Sequence, residues 1–196
     1  MRCLNILGTR FTFTNPHSIP TNQPLIIVAN HQSMYDIPPL LYYLSKYHPK
    51  FVSKIELGKG IPSVSYNLRH GGSVLIDRKK PLKAIKAIKY FAQNISNNNW
   101  SAIIFPEGTR SKTGHPKPFK TKGLQTLLTH MPNALVVPIT INNSWKLLRY
   151  GKFPLDLGVH ITFKVHKPIP VNQTSTAPLM EKIEQIIIND IQHESK

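Results

Sequence analysis

The apolar residues of this chain fall into short, nearly continuous runs separated by stretches of helical spacing. The runs Leu25–Ala29, 51–53, 73–76, 102–105, 135–141 and His160–Val165 are strand-sized. Runs without polar alternation suit strands of a sheet covered on both faces. Between them, residues 81–95 repeat at the helical period. Pro81 suits a first turn, and Leu82, Ile85, Ile88, Phe91 or Ala92, and Ile95 form an apolar stripe. Lys83, Lys86 and Lys89 lie off that stripe. The pattern predicts a core helix with a solvated basic face; a basic amphipathic helix on an anionic membrane is the alternative. Residues 124–129 predict a further helix. Residues 178–192 predict a packed closing helix along Leu179, Ile183, Ile186, Ile187 and Ile191. The breakers of 112–118 mark a loop. Strand-sized runs alternating with helical ones predict an α/β fold, and 196 residues suit one domain over 1–196.

Charge changes this picture most. Lys and Arg total 25 against 9 Asp and Glu, a net charge of +16 that favours an anionic partner. Nucleic acid, an acidic membrane surface and a phosphorylated substrate all fit that sign. Between residues 46 and 167 there are 21 basic residues and four acids, Glu56, Asp77, Glu107 and Asp156, so the charge is not a terminal tail. The single cysteine, Cys3, excludes an intramolecular disulfide framework. The nine histidines show no paired helical spacing that would suggest a metal site. No apolar run approaches the roughly 20 residues of a spanning helix.

Three segments at predicted strand ends carry candidate chemistry. His31, just after Leu25–Ala29, has Asp36 five residues on. Such a pair can act as a base and its orienter, with Asp accepting from Nδ1–H and Nε2 left free. Equally, Asp36 could cap a helix that starts at Ile37. Gly72 permits a tight turn into a strand after which Arg78 emerges. Phe105-Pro106-Glu107-Gly108-Thr109-Arg110-Ser111 sets charges and hydroxyls beside a glycine. It could bind a phosphate through Arg110, or form a turn held by a Glu107–Arg110 pair. A fourth segment, Val137-Pro138-Ile139, places a proline in a strand that otherwise reads as central. It predicts an irregular edge or bulge that makes an apolar wall.

In this order the four segments resemble the motifs of the 1-acyl-glycerol-3-phosphate (lysophosphatidic acid) acyltransferase family of glycerolipid acyltransferases. Asn30-His31-Gln32-Ser33 and the Phe105–Ser111 block are the most specific parts. The resemblance implies a mixed, mostly parallel central sheet flanked by helices, with the 9–24 stretch supplying a short strand and turn. It implies an O-acyltransferase in which His31 is the general base and Asp36 orients it. No acyl-enzyme, metal or further cofactor is implied. The donor would be an acyl thioester of coenzyme A or acyl carrier protein, and the acceptor a lysophospholipid giving phosphatidic acid. Arg78 and Arg110 would bind the acceptor phosphate, Glu107 and Thr109 would help place the glycerol, and Gly108 would permit close approach. Gly72, Val137, Pro138 and Ile139 would line the acyl side or serve the structure. Backbone amides near the start of the helix after His31 are the expected oxyanion donors. The family often carries an N-terminal membrane segment, so this chain is expected to work at the cytoplasmic face of an anionic membrane, peripherally or through an anchor absent from it. Other readings are a lyso-aminolipid acceptor, a non-catalytic lipid-binding relative, and a basic nucleic-acid-binding protein; the last lacks any recognised nucleic-acid motif, so no nucleic-acid partner is expected.

Overall fold

In the computed structural model, residues 2–60, 62–151 and 153–192 are described. Strands β1 (Arg10–Thr14), β2 (Leu25–Ala29), β3 (Pro49–Lys54), β4 (Val74–Ile76), β5 (Ser101–Ile104), β6 (Leu135–Asn142) and β7 (His160–Val165) form one sheet in the order β1-β7-β6-β2-β5-β3-β4. The short β8 (Ile169–Pro170) also pairs with β6. Strands β6, β2, β5, β3 and β4 run parallel, and β7 is antiparallel to β6. Every predicted strand is present within a residue or two of its expected bounds. The mostly parallel sheet also holds, and β1 lies in the stretch where a short preceding strand was expected.

The sheet is buried on both faces because its central strands are apolar at nearly every position. Along β2, Leu25, Ile27 and Ala29 enter one core, while Ile26 and Val28 enter the other. The second core is covered by α4 (Pro81–Asn97), α5 (Thr121–His130) and α6 (Thr176–Asn189). Ile88, Phe91, Ala92 and Ile95 of α4 are buried there, so its apolar stripe is spent on the sheet and the core-helix reading holds. Leu82 departs from the expectation: it is 84% exposed. Leu179, Ile183 and Ile187 of α6 are fully buried, as expected of a closing helix. The first core is covered by α2 (Ile37–Tyr43) through Leu40, and by Leu68 of α3 (Pro62–His70). A short helix, α1 (Arg2–Asn5), precedes β1. Among the described residues no helix is long and apolar enough to cross a membrane.

Pro138 corrects one expectation. It sits in the interior of β6, in unbroken parallel register with Val28, rather than at an edge or bulge. On the other side of β6, pairing passes from β8 at Val136 to β7 at Ile139, and the Pro138 carbonyl accepts from the His166 amide (2.9 Å). The missing proline N–H faces the same side as that carbonyl, at the end of the β6–β7 ladder, so one terminal bond is forgone and the register with β2 stays intact.

Candidate active site

The parallel strands end together, and their carboxyl ends carry the polar residues, as is usual for ligand sites in α/β sheets. His31 follows β2, Lys54 ends β3, Arg78 follows β4, Phe105–Ser111 follows β5, and Ser144 follows β6.

His31 Nδ1 lies 2.8 Å from Asp36 Oδ2. Asp36 is fully buried, and the same oxygen accepts from the amides of Gln32 (2.8 Å) and Ser33 (2.9 Å). Its other oxygen accepts from the Ser144 hydroxyl. With a carboxylate so committed as acceptor, Nδ1 carries the shared proton and Nε2 keeps its lone pair. Asp36 also closes a capping box with Ser33 over the turn Met34–Asp36. The expected cap on the helix that starts at Ile37 is not made: Asp36 precedes that helix, but its side chain forms no cap hydrogen bond there. The His31 ring is stacked on Phe105 (centroids 4.2 Å, planes 18° apart), which in turn stacks on Phe51 at 6.3 Å. The ring is therefore fixed by a hydrogen bond at one edge and an aromatic face below it.

Glu107 is buried and does not pair with Arg110. Its two oxygens accept from the backbone amides of His31 (2.7 Å) and Lys117 (2.9 Å). It ties the loop after β5 to the end of β2, whereas the sequence suggested a contact with the acceptor's glycerol. Burial pushes its carboxyl above the ordinary carboxylate range, and the two amide hydrogen bonds oppose that shift. Three of the expected oxyanion amides after His31 are also spoken for. Those of Gln32 and Ser33 bind Asp36, and that of Tyr35 binds Ser33 Oγ.

A cavity of about 370 Å³ opens in front of His31, with Lys54, Arg78, Thr109, Arg110 and Lys120 around it. Arg78 donates to the Gly108 carbonyl. Partial desolvation pulls the Arg78 guanidinium below its ordinary value, with Glu56 acting the other way; at any working pH it stays charged. Lys54 is paired with Glu56 (3.0 Å), but among the described residues no carboxylate forms an ion pair with Arg78, Arg110 or Lys120, so the mouth keeps a cationic surface. Gly108 has φ +70°, and a Cβ there would meet the Lys120 side chain at 3.3 Å and Arg78 Nη1 at 3.5 Å. Only glycine lets the loop turn where the cations converge. A second, apolar cavity of about 230 Å³ adjoins the first and shares Val52, Arg78, Phe105, Gly108 and Lys120 with it. Its remaining wall includes Ile76, Ile85, Ile88 and Ile104.

The residues expected to make an acyl wall lie elsewhere. Val137 and Ile139 are buried in the first core, and Pro138 is buried between them, beneath the site rather than facing it. Gly72 turns the chain into β4 at φ +83°, against Lys50 and Trp100. The structure thus brings His31, Asp36, Arg78, Glu107, Gly108, Thr109 and Arg110 together, and assigns Gly72, Val137, Pro138 and Ile139 to the scaffold. It adds Lys54, Phe105, Lys120 and Ser144, which the sequence reading did not single out. Phe105 opens the Phe105–Ser111 block, and Lys54-Ile55-Glu56-Leu57 and Phe119-Lys120-Thr121-Lys122-Gly123 are lesser matches to the same family; Ser144 had no such signal.

The family model for acyltransferases matches residues 10–142. The chain belongs to the acyltransferase family. The solved structure of a 1-acyl-sn-glycerophosphate (LPA) acyltransferase, PlsC, from Thermotoga maritima is similar over 100% of this chain and 78% of that one. The TM-score is 0.80 and the sequence identity 28%. A chloroplastic 1-acyl-sn-glycerol-3-phosphate acyltransferase of Brassica napus is 34% identical over 151 residues, 76% of this chain and 42% of that protein. The 1-acyl-sn-glycerol-3-phosphate acyltransferase of Helicobacter pylori is 37% identical over 134 residues, 64% of this chain and 54% of that protein. The chain therefore spans about half the length of the curated relatives it matches.

Ser144 provides a test of the support behind Asp36. Ser144→Ala removes a hydrogen bond to a charged, buried acceptor, an interaction worth about 1.5–3 kcal/mol. We expect kcat to fall roughly tenfold, the equivalent of about 1.4 kcal/mol, while KM for either substrate stays within twofold. Steady-state kinetics at varied donor and acceptor would show this; an unchanged kcat would mean that the hydroxyl only fills space.

Proposed function

We propose that this protein transfers a fatty acyl group from a thioester to the free hydroxyl of 1-acylglycerol 3-phosphate, giving phosphatidic acid. One observation carries the reading: the His31–Asp36 pair opens onto a cavity where Arg78, Arg110 and Lys120 form no ion pair with a carboxylate among the described residues, beside an apolar cavity. The names of the relatives, all 1-acyl-glycerol-3-phosphate acyltransferases, support the same substrate class.

His31 Nε2 takes the proton of the acceptor hydroxyl as its oxygen attacks the thioester carbonyl. The tetrahedral intermediate collapses with loss of the thiol, which recovers the proton from the imidazolium. The attacking group belongs to the substrate, so no acyl-enzyme forms and no cofactor beyond the thioester donor is needed. This fits a site where the hydroxyls nearest the pair, those of Ser33 and Ser144, are committed to Tyr35 N and Asp36. Arg78, Arg110 and Lys120 hold the acceptor phosphate. The apolar cavity takes the start of an acyl chain. The donor is acyl-coenzyme A or acyl carrier protein. Because the acceptor is a lipid, the protein works at a membrane surface, at its cytoplasmic face, and the basic excess between residues 46 and 167 draws it to anionic headgroups.

Purified protein with a labelled acyl thioester and a panel of lyso-lipids tests the assignment. Transfer to the phosphate acceptor in preference to a lyso-aminolipid is the expected result. Arg110→Ala should raise the acceptor KM about 10- to 100-fold, the loss of a charge-assisted contact, with kcat within threefold. If the KM for phosphate acceptors stays put, Arg110 does not bind the phosphate.

A further inference from the structure

A third cavity, of about 490 Å³, shares Thr109 and Arg110 with the one in front of His31. Its other lining includes Gln32, Lys112, Trp145 and Arg149, and among the described residues no carboxylate lines it. We propose that it holds the phosphate-bearing carrier arm of the acyl donor. The inference rests on the acyltransferase reading above.

The wall is built rather than incidental. Gln32 is 4% exposed; its Oε1 accepts from the Ser144 amide (3.0 Å) and its Nε2 donates to the Gly114 carbonyl (3.4 Å). Gly114 has φ +82°, and a Cβ there would lie 2.5 Å from the Trp145 indole nitrogen. The backbone conformation at Gly114 thus makes room for the indole. Arg149 Nε is anchored on Asp156 Oδ2 at 2.8 Å, and its guanidinium carbon lies 5.8 Å from the Trp145 ring centroid. That leaves the terminal nitrogens of Arg149, together with Lys112, as donors for an anion beside a flat aromatic wall.

The reaction needs such a place. The attacking hydroxyl and the thioester carbonyl must meet about 3–3.5 Å apart at His31. Arg78 and Lys120 hold the acceptor phosphate in front, and the apolar cavity lies on that side too. The donor's carrier, which leaves as a thiol, therefore needs a separate approach. Coenzyme A and acyl carrier protein present the thioester on the same phosphorylated pantetheine arm, and the third cavity adjoins the site through Gln32, the residue after His31. The Gln32–Ser144 bond also couples this wall to the hydroxyl that holds Asp36.

The test uses Lys112→Glu, with Lys182→Glu on α6 as the charge-matched control; both side chains are exposed. Binding of coenzyme A and, separately, of the holo form of acyl carrier protein is measured by titration calorimetry. At least one probe is expected to bind the unaltered protein, and which one does identifies the carrier. Lys112→Glu should weaken that binding at least about tenfold, because it opposes the anion with a like charge, while Lys182→Glu changes it less than twofold. Equal weakening by both variants, no weakening, or no binding of either probe overturns the proposal. An acyl-transfer assay separates this from the parent reading. Turnover with no binding effect at Lys112 condemns the third cavity alone. Carrier binding lost in Lys112→Glu, without turnover by the unaltered protein, condemns the acyltransferase reading alone.

Discussion

Replacing His31 with alanine is expected to lower kcat by about three orders of magnitude, within the range that a positioned general base contributes. The fold should survive. The lost side chain is a ring at the surface of the cavity, 15% exposed, and only its Asp36 bond and its Phe105 stack disappear. The backbone of residue 31 still donates to Glu107 and still accepts from the Ser111 amide at 2.8 Å. Asp36 keeps both amides and the Ser144 hydroxyl. Acceptor binding should stay within threefold, because Arg78, Arg110 and Lys120 are untouched. Asp36→Asn should behave differently. Its amide can keep the oxygen on the two backbone N–H groups and donate to Ser144 Oγ, but the charge that strengthened each of these bonds is gone, so the turn at 34–36 loosens. A lower Tm should accompany its lost turnover. Circular dichroism melts beside turnover assays separate the two variants, and normal turnover in His31→Ala would end the general-base mechanism.

What the chain revealed in advance follows from how local each feature is. β2 and β5 were legible because they are apolar throughout, save Ser101 at the start of β5, a pattern that suits a doubly covered strand. β1 has no such run: Arg10-Phe11-Thr12-Phe13-Thr14 alternates because it is an edge strand paired only with β7. α3 is polar along most of its length and buries little beyond Ser65 and Leu68, so its period is faint. His31 and Asp36 were legible because their contact spans five residues of one turn. The Ser144 bond to Asp36 spans 108 residues. It exists because β6 lies beside β2 in the sheet, a neighbour relation that no local pattern encodes. Glu107 was found as a site residue, but its partners were misjudged. Its charge suggested a substrate or Arg110, whereas the junction of β2 and β5 turns both oxygens onto backbone amides.

That junction carries the second large effect. Glu107→Gln keeps the shape but replaces one acceptor oxygen with an NH₂ group, so either the His31 or the Lys117 amide faces a donor. An unsatisfied buried donor costs about 1–3 kcal/mol. If the bond to His31 is the one lost, the backbone that carries the catalytic ring is released, and a displacement of about 1 Å at such a group can cost roughly 100-fold in rate. The expected result is kcat down by about that factor with a modest loss of Tm, whereas a residue that only placed glycerol would raise the acceptor KM instead. The pH dependence gives an independent check. The folded-state value of Glu107 is raised by burial, so its protonated form favours the fold. Its contribution to stability is fully present below the ordinary carboxylate value and is lost as pH rises through the raised one. Glutamine at this position does not titrate. The Tm of the unaltered protein relative to Glu107→Gln should therefore improve as pH falls through that window. A gap that instead widens toward higher pH would show that the two amide hydrogen bonds outweigh burial, with the carboxyl held below its ordinary value.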